Sequence, residues 1–594
     1  MKSPEESYRL EVVSDPYVSG NFAYFTLNWI EDGEYRSSIY RFNGEKVDRV
    51  TFGGHEKMPS FFNGKFHYVS YTKKKESLML QEEFKEPREI FSNESIQKYL
   101  YHKNTPIVMT QDSSNEEEPF ITDRLKYRFD TKGYLRTRVR LVALEDSPRN
   151  LVSGDFDVVD FDSNGKVVIF SATIEDDDRG LQDIYELNVA DSSYRRLTSG
   201  SGEAPLVSVN LDGEIAYIGH RNGISPWTPS SLVFPGTERT IGIGKNAGNT
   251  VNSDLFVPGS NSLLLDNGKY FLIGQEGGKS HIYAYDGNEV LKITDGNISV
   301  RAFHVNDGKV AYVYSSPERP SVLVFKGEYD PNPDFRGRKP MRIEVNGMEA
   351  WLIESSKENP TVLAVHGGPQ TAYGYAYSIE FNFLADNGYN VLYGNPRGSD
   401  GYGEDFAEGC VGDWGGKDFE DLLGFVDASM KELGLSDNFA ITGGSYGGYM
   451  TNAAIVKTDR FKCAISERCV SNLMSMCGTS DIGFWFNAIE SSVDDPWSED
   501  GIRRLLELSP VTRAKNVRTP TMFVHGENDY RCPIEQSEQM YNAIRMNGVD
   551  TLLARYPGDT HEHARRGIPE NMKDRLKRKL SWFDTYMKKK RRDE

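Results

Sequence analysis

The chain has 594 residues, 38% hydrophobic and 12% aromatic, with a formal net charge of −19. That length exceeds what one hydrophobic core serves, so two or more domains are expected. The acidic balance argues against a general affinity for nucleic acid or anionic membrane, and no stretch approaches the run of about 20 apolar residues that a membrane-spanning helix needs.

The opening, MKSPEESYRL, has no apolar segment of the secretory type. From about residue 8 to 330 the sequence reads as short β-type runs divided by turns. Asn63-Gly64, Asn164-Gly165, Asp212-Gly213, Asn267-Gly268 and Asp307-Gly308 each lead into an apolar run. Such pairs suit tight hairpins, because glycine tolerates positive φ. A second element recurs as RVTFGG, RNLVSG, RRLTSG and LKITDG, with 46 residues from Val152 to Thr198 and 96, about two such units, from Thr198 to Thr294. A period of roughly 40–50 residues with four strands per unit predicts a β-propeller of six or seven blades. An all-β sandwich is the alternative.

A linker rich in Pro, Gly and Asp spans Gly327 to Pro340 and is followed by a hairpin around Asn346-Gly347. Strands are then expected at 361–366, 390–395, 439–445, 462–466, 521–526 and 551–557, with helices between them. Phe419, Leu422, Leu423, Val426, Met430 and Leu433 mark one helical face. The expected fold is an N-terminal all-β propeller over residues 1–335 and a C-terminal α/β-hydrolase with a mostly parallel sheet over 336–594.

Gly443-Gly444-Ser445-Tyr446-Gly447-Gly448 lies between a predicted strand and helix, the context in which G-x-S-x-G presents a nucleophilic serine. The alternative is a glycine-rich loop with an incidental serine. A serine needs a base, and the base an orienting acid. In α/β-hydrolases these follow in the order Ser, acid, His. Asp529 in HGENDYRCP and His561 in PGDTHEHARRG each follow a predicted strand, where ligands bind in open parallel sheets. His563 is the rival base, and Asp559 and Glu527 are rival acids. For the oxyanion hole, the backbone N–H of Tyr446 and that of Gly368, in His366-Gly367-Gly368-Pro369, are the candidate donors. The cysteines Cys410, Cys463, Cys469, Cys477 and Cys532 match no zinc spacing and read as reduced thiols of a cytoplasmic protein. The basic run from Lys588 to Arg592 reads as a solvated tail.

VHGGP, NPRGSDGYG (395–403), GDWGGKD (412–418), GGSYGGYM, HGENDYRCP and the DTHEHARRG loop together resemble the prolyl oligopeptidase family of serine peptidases, nearest its acylaminoacyl-peptidase branch. The resemblance covers about residues 340–594. It implies Ser445 as nucleophile, His561 as base and then acid, Asp529 as its orienter, and Gly368 and Tyr446 as oxyanion donors. It further implies that Arg531, near the active site, binds the carbonyl or acyl end of the substrate, and that Phe484, Trp485 and Phe486 lie in the segment lining the pocket for the residue before the scissile bond. A surface salt bridge for Arg531 and core packing for the aromatics are the alternatives. No acidic pair in the first half matches the amine anchor of dipeptidyl peptidases. The family implies short peptides as substrates, admitted by the propeller, with no metal or organic cofactor. Self-association into a homo-oligomer is expected by resemblance alone. Release of N-acylated amino acids is the first reading. A broader oligopeptidase or dipeptidyl peptidase, a carboxylesterase and a non-catalytic scaffold follow it.

Overall fold

Short antiparallel strands fill the first half of the chain in a computed structural model that describes residues 2–588 apart from 74, 84, 115–116, 174–178 and 238. Five four-stranded sheets stand alone, and two more are joined through a parallel bridge between Ser280 and Ser299, so seven blades run from Val12 to Tyr329. The expected hairpin pairs connect the first and second strands of their blades. Asn63-Gly64, Asn267-Gly268 and Asp307-Gly308 have positive φ at both residues, and at the other two pairs only the glycine does.

The second recurring element has a physical role. Thr51, Thr198 and Thr294 each accept, through Oγ1, the backbone N–H of Ile39, Ile184 and Ile282, at 2.9, 3.0 and 3.0 Å. The hydroxyl thus satisfies a strand donor where the outermost strand of the blade ends. A small hairpin, Arg128–Phe129 paired with Gly133–Tyr134, is inserted between two strands of the third blade.

The second half carries one eight-stranded sheet. Its strands are β1 Met341–Val345, β2 Met348–Ile353, β3 Thr361–Val365, β4 Asn390–Gly394, β5 Phe439–Ser445, β6 Phe461–Cys469, β7 Thr521–Gly526 and β8 Thr551–Tyr556. The order is β1-β2-β4-β3-β5-β6-β7-β8, antiparallel at the first two pairings and parallel from β4 onward. Strands β3, β4 and β7 are buried at every residue, as strands covered by helices on both faces must be.

Among the covering helices are α1 Ile379–Asp386, α2 Lys417–Leu433, α3 Tyr446–Lys457 and α4 Pro569–Met587. Helix α2 buries Phe419, Leu422, Phe425 and Val426 and stops at Gly434, whose φ of 72° ends it in the left-handed region. All five cysteines are free and buried. No helix among the described residues is long and apolar enough to cross a membrane. Of the basic run at the end, only Lys588 lies within the described residues.

Candidate active site

Ser445 stands where β5 turns into α3, with φ 62° and ψ −123°. A non-glycine residue held there is strained, which projects its side chain above the sheet edge. The flanking glycines follow from close approach. A Cβ on Gly443 would run into the carbonyl of Gly447, and one on Gly447 into that of Val365. Gly367, at the end of β3, packs against the serine, so that a Cβ there would lie 3.9 Å from Oγ. Gly368 follows with φ 124° and a cis bond to Pro369.

Tyr446 is 1% exposed and donates its hydroxyl to Asp418 Oδ2 at 2.6 Å. Asp418 also accepts from the backbone of Gly415 and Phe419 at 3.1 and 2.7 Å. The GDWGGKD motif therefore braces the residue after the serine. Burial raises Asp418 to about 6, despite these donors. In NPRGSDGYG, Arg397 grips Asp421 at 2.7 and 2.9 Å and Asp400 reaches Asn246 and Thr250 of the propeller at 2.5 and 2.9 Å, so that motif builds the loop and its contact with the first half.

Asp529 and His561 come from the loops after β7 and β8. Asp529 Oδ2 meets His561 Nδ1 at 2.8 Å, and Oδ1 accepts the N–H of Cys532 at 2.8 Å. Both side chains are buried, at 2% and 6% exposure. Burial would raise the Asp529 carboxyl, but the charge of His561 and hydrogen bonds from His525 and His561 hold it well below the usual carboxylate range.

The rivals have other partners. His563 Nε2 faces Glu467 at 3.9 Å, Asp559 accepts the N–H of Ile568 at 2.8 Å, and Glu527 pairs with Arg555 at 3.1 Å. No hydrogen bond joins Ser445 to His561 among the described residues. Ser445 Oγ instead faces Cys532 Sγ at 3.9 Å, and His561 Nε2 faces Arg468 Nη1 at 3.4 Å. Catalytic hydrogen bonds are often long until substrate is seated.

Arg531 is held by buried Asp481 at 2.7 and 3.2 Å, and its guanidinium lies 5.2 Å from the Phe129 ring centre. Its Nη1 has no hydrogen-bond partner among the described residues. Burial alone would lower this guanidinium, but Asp481 more than offsets it. The three aromatics part company. Trp485 lines a cavity of about 330 Å³ with Phe129, Leu135 and Ile482, Phe486 packs into the core at 6.3 Å from Trp414, and Phe484 is half-buried.

Several neighbours escaped the sequence reading. His525 is fully buried, 3.2 Å from Asp529 Oδ2 and 2.6 Å from the carbonyl of Cys532. Asp130, on the inserted propeller hairpin, accepts the N–H of Tyr530 at 3.0 Å and that of His561 at 3.2 Å through one oxygen. Its own N–H donates to Asp481 at 2.8 Å. Arg128 donates to the carbonyl of Thr479 and lies over the Tyr530 ring at 4.9 Å. The only sequence signal for the histidine was its place at the end of β7. Asp130 had none, being some 400 residues from the loops it holds. Among the described residues no group of three or more His, Cys, Asp and Glu is arranged to hold a metal ion.

This is the architecture of a serine hydrolase: an α/β sheet with an elbow serine and an acid–histidine pair at its carboxyl edge, under a propeller. Comparison with known proteins bears on the family. Residues 26–320 match the acylaminoacyl-peptidase N-terminal β-propeller domain, and residues 375–590 match the prolyl oligopeptidase family. The match to the prolyl oligopeptidase family lies in the second half of the chain, and the match to the acylaminoacyl-peptidase propeller lies in the first. It is 42% identical over 249 residues to the uncharacterized peptidase YuxL of Bacillus subtilis, covering 41% of this chain and 37% of that protein. It is 33% identical over 340 residues to the acylamino-acid-releasing enzyme of Arabidopsis thaliana, 51% of this chain and 43% of that protein. These matches span less than half the length of either relative. In fold, the chain is similar to an acylaminoacyl peptidase from Pyrococcus horikoshii, with a TM-score of 0.86, 23% identity, and coverage of 100% of this chain and 98% of that one.

Proposed function

We propose that the protein is a serine peptidase that releases N-acylated amino acids from short peptides, with residues 1–335 as the gating propeller and 336–594 as the catalytic half. The observation that carries this reading is the Asp529–His561 pair at 2.8 Å beside the strained elbow of Ser445. Ser445 Oγ turns from Cys532 towards His561 Nε2 as a substrate carbonyl is seated, and Nε2 takes its proton. Asp529, kept ionised, fixes the Nδ1–H tautomer and stabilises the imidazolium. The N–H groups of Tyr446 and Gly368 receive the oxyanion. His561 returns the proton to the leaving amine, and water frees the acyl group.

On the acyl side, the unpartnered Nη1 of Arg531 is positioned to donate to a carbonyl, which an acetyl cap supplies and a free amine does not. Trp485 and Phe129 offer an apolar wall beside it. Five free thiols fit a reducing, cytoplasmic compartment, and self-association, proposed from family resemblance, is checked by light scattering.

Hydrolysis of acetyl-Phe-p-nitroanilide, free-amine dipeptide nitroanilides, an internally cleavable peptide and a p-nitrophenyl ester tests the reading. Preference for the acetylated substrate is expected. Comparable cleavage of free-amine dipeptides makes it a dipeptidyl or broader oligopeptidase, and cleavage of the ester alone an esterase. Ser445→Ala should lower kcat by at least ~10³-fold with an unchanged circular dichroism spectrum. An active Ser445→Ala protein overturns the assignment.

A further inference from the structure

Beside His561 begins a set of cavities whose walls are rich in arginine. Arg468 faces Nε2 at 3.4 Å and, with Gly444 and Arg565, lines a small cavity of about 80 Å³ under the elbow. Arg565 also lines a second cavity of about 290 Å³, between the propeller and the hydrolase sheet. That cavity shares Arg301, Arg566, Pro258 and Ser260 with a third of about 540 Å³. A path of guanidinium groups therefore leads from the catalytic imidazole into the space between the two halves.

One of these charges is met on the walls themselves, where Arg565 pairs with Glu562 at 2.7 Å. Among the described residues, Arg301, Arg468 and Arg566 have no ion pair. The other acids on these walls are engaged elsewhere. Asp254 accepts the N–H groups of Ile379 and Glu380 at 2.6 and 2.8 Å, Glu76 pairs with Lys57 at 2.5 Å, and Asp15 accepts the hydroxyl of Thr26 at 2.8 Å. Glu380 and Glu467 are tied to Arg575 and Lys579.

Burial, and then repulsion by Arg565, lowers Arg301 to about 10, and the same two causes lower Arg468. Removing a guanidinium from water without a partner is costly. A chain with a formal net charge of −19 that keeps Arg301 and Arg468 unpaired in this space, with the exposed Arg566 beside them, has an anion to meet there.

We propose that this chamber binds a carboxylate of the leaving peptide, from its C-terminus or from an acidic side chain. The inference rests on the peptidase reading and deepens it. Nε2 is the atom that returns the proton to the leaving amine, so a chamber opening beside it receives the segment after the scissile bond. The wall formed by Phe129 and Trp485 belongs to a separate cavity and is left to the acyl side. Short peptides that end in a free acid are the preferred substrates, since a terminal carboxylate close behind the scissile bond reaches Arg301 and Arg566.

The test compares kcat/KM for acetyl-Phe-Ala-Ala as the free acid, the same peptide as its amide, and acetyl-Phe-Ala-Glu-amide, with acetyl-Phe-p-nitroanilide as the control that has no carboxylate. In the wild type the acid should be cleaved about 10-fold or more better than its amide, as expected for charge-assisted hydrogen bonds. In the double variant Arg301→Gln/Arg566→Gln that ratio should fall to about 2 or less through KM, while turnover of the nitroanilide stays within about 2-fold of wild type. A Glu-amide cleaved as well as the acid also supports the site and assigns it to side-chain carboxylates. Equal cleavage of acid and amide by the wild type, or a preference that survives in the double variant, overturns the proposal while leaving the peptidase reading intact. Failure to cleave any of the four substrates would instead sink that reading.

Discussion

Glu490 is a carboxyl buried at 1% exposure, with only neutral donors: Gln370 at 2.9 Å and Trp414 at 3.1 Å. Burial outweighs those bonds and raises it to about 7 from 4.5. The folded state therefore holds a proton that the unfolded chain releases between about pH 4.5 and 7, so the stability it contributes is present below that window and is lost as pH rises through it. Glu490→Gln keeps the shape in a neutral form, with the Gln370 amide turned to present its oxygen. The wild type should lose on the order of 2 kcal/mol relative to this variant between pH 4.5 and 8. Paired urea melts at the two pH values measure it. Asp418 titrates in an overlapping range but is common to both proteins and cancels. A difference that does not change with pH would show the carboxyl to be ionised throughout. Glu490 also shows what sequence could not give: nothing local marks it as buried, whereas Ser445 was legible because its glycines and its strand–turn–helix setting are contiguous.

At the level of elements, the inserted hairpin of the third blade reaches the loops that carry Asp529 and His561. One oxygen of Asp130 holds the N–H groups of Tyr530 and His561, and so fixes the residue after Asp529 and His561 itself. Asp130→Ala removes both acceptors and should lower kcat about 10-fold or more, by loosening both loops. Asp130→Asn keeps an acceptor oxygen and should recover most of kcat. It also removes a negative charge that favours the imidazolium, so the acidic limb of the kcat/KM profile should move to lower pH. Full kcat in the alanine variant, or an unmoved limb in the asparagine variant, would remove the hairpin from the positioning machinery. The elements themselves were readable from periodicity, down to the face of α2 carried by Phe419, Leu422 and Val426. Their contacts across the two halves were not, because residues 130 and 561 share no local pattern, and only the folded chain brings them together.

Across the whole molecule, the two halves share a core. Tyr8, Leu10, Val12, Leu255 and Phe256 from the first half are buried in one cluster with Trp351, Tyr377, Phe383 and Val524 of the second. Asp254 of the propeller caps the first turn of α1 at 2.6 and 2.8 Å, satisfying donors that a helix start leaves open. The buried grid of Arg575 and Lys579 with Glu380 and Glu467 then ties α4 to α1 and β6. A hydrolase sheet that completes its core with propeller residues has no independent fold to return to, so heating should melt both halves in one transition. Leu10 is fully buried, and Leu10→Ala removes its contacts on the hydrolase side and leaves a cavity, at a cost of about 2–5 kcal/mol. Differential scanning calorimetry should show a single peak that moves down as a unit in Leu10→Ala, with loss of nitroanilide hydrolysis following the same curve. Two peaks, of which Leu10→Ala shifts one and leaves the peak that tracks activity in place, would mean that the halves fold separately and that the shared cluster is an interface between finished domains.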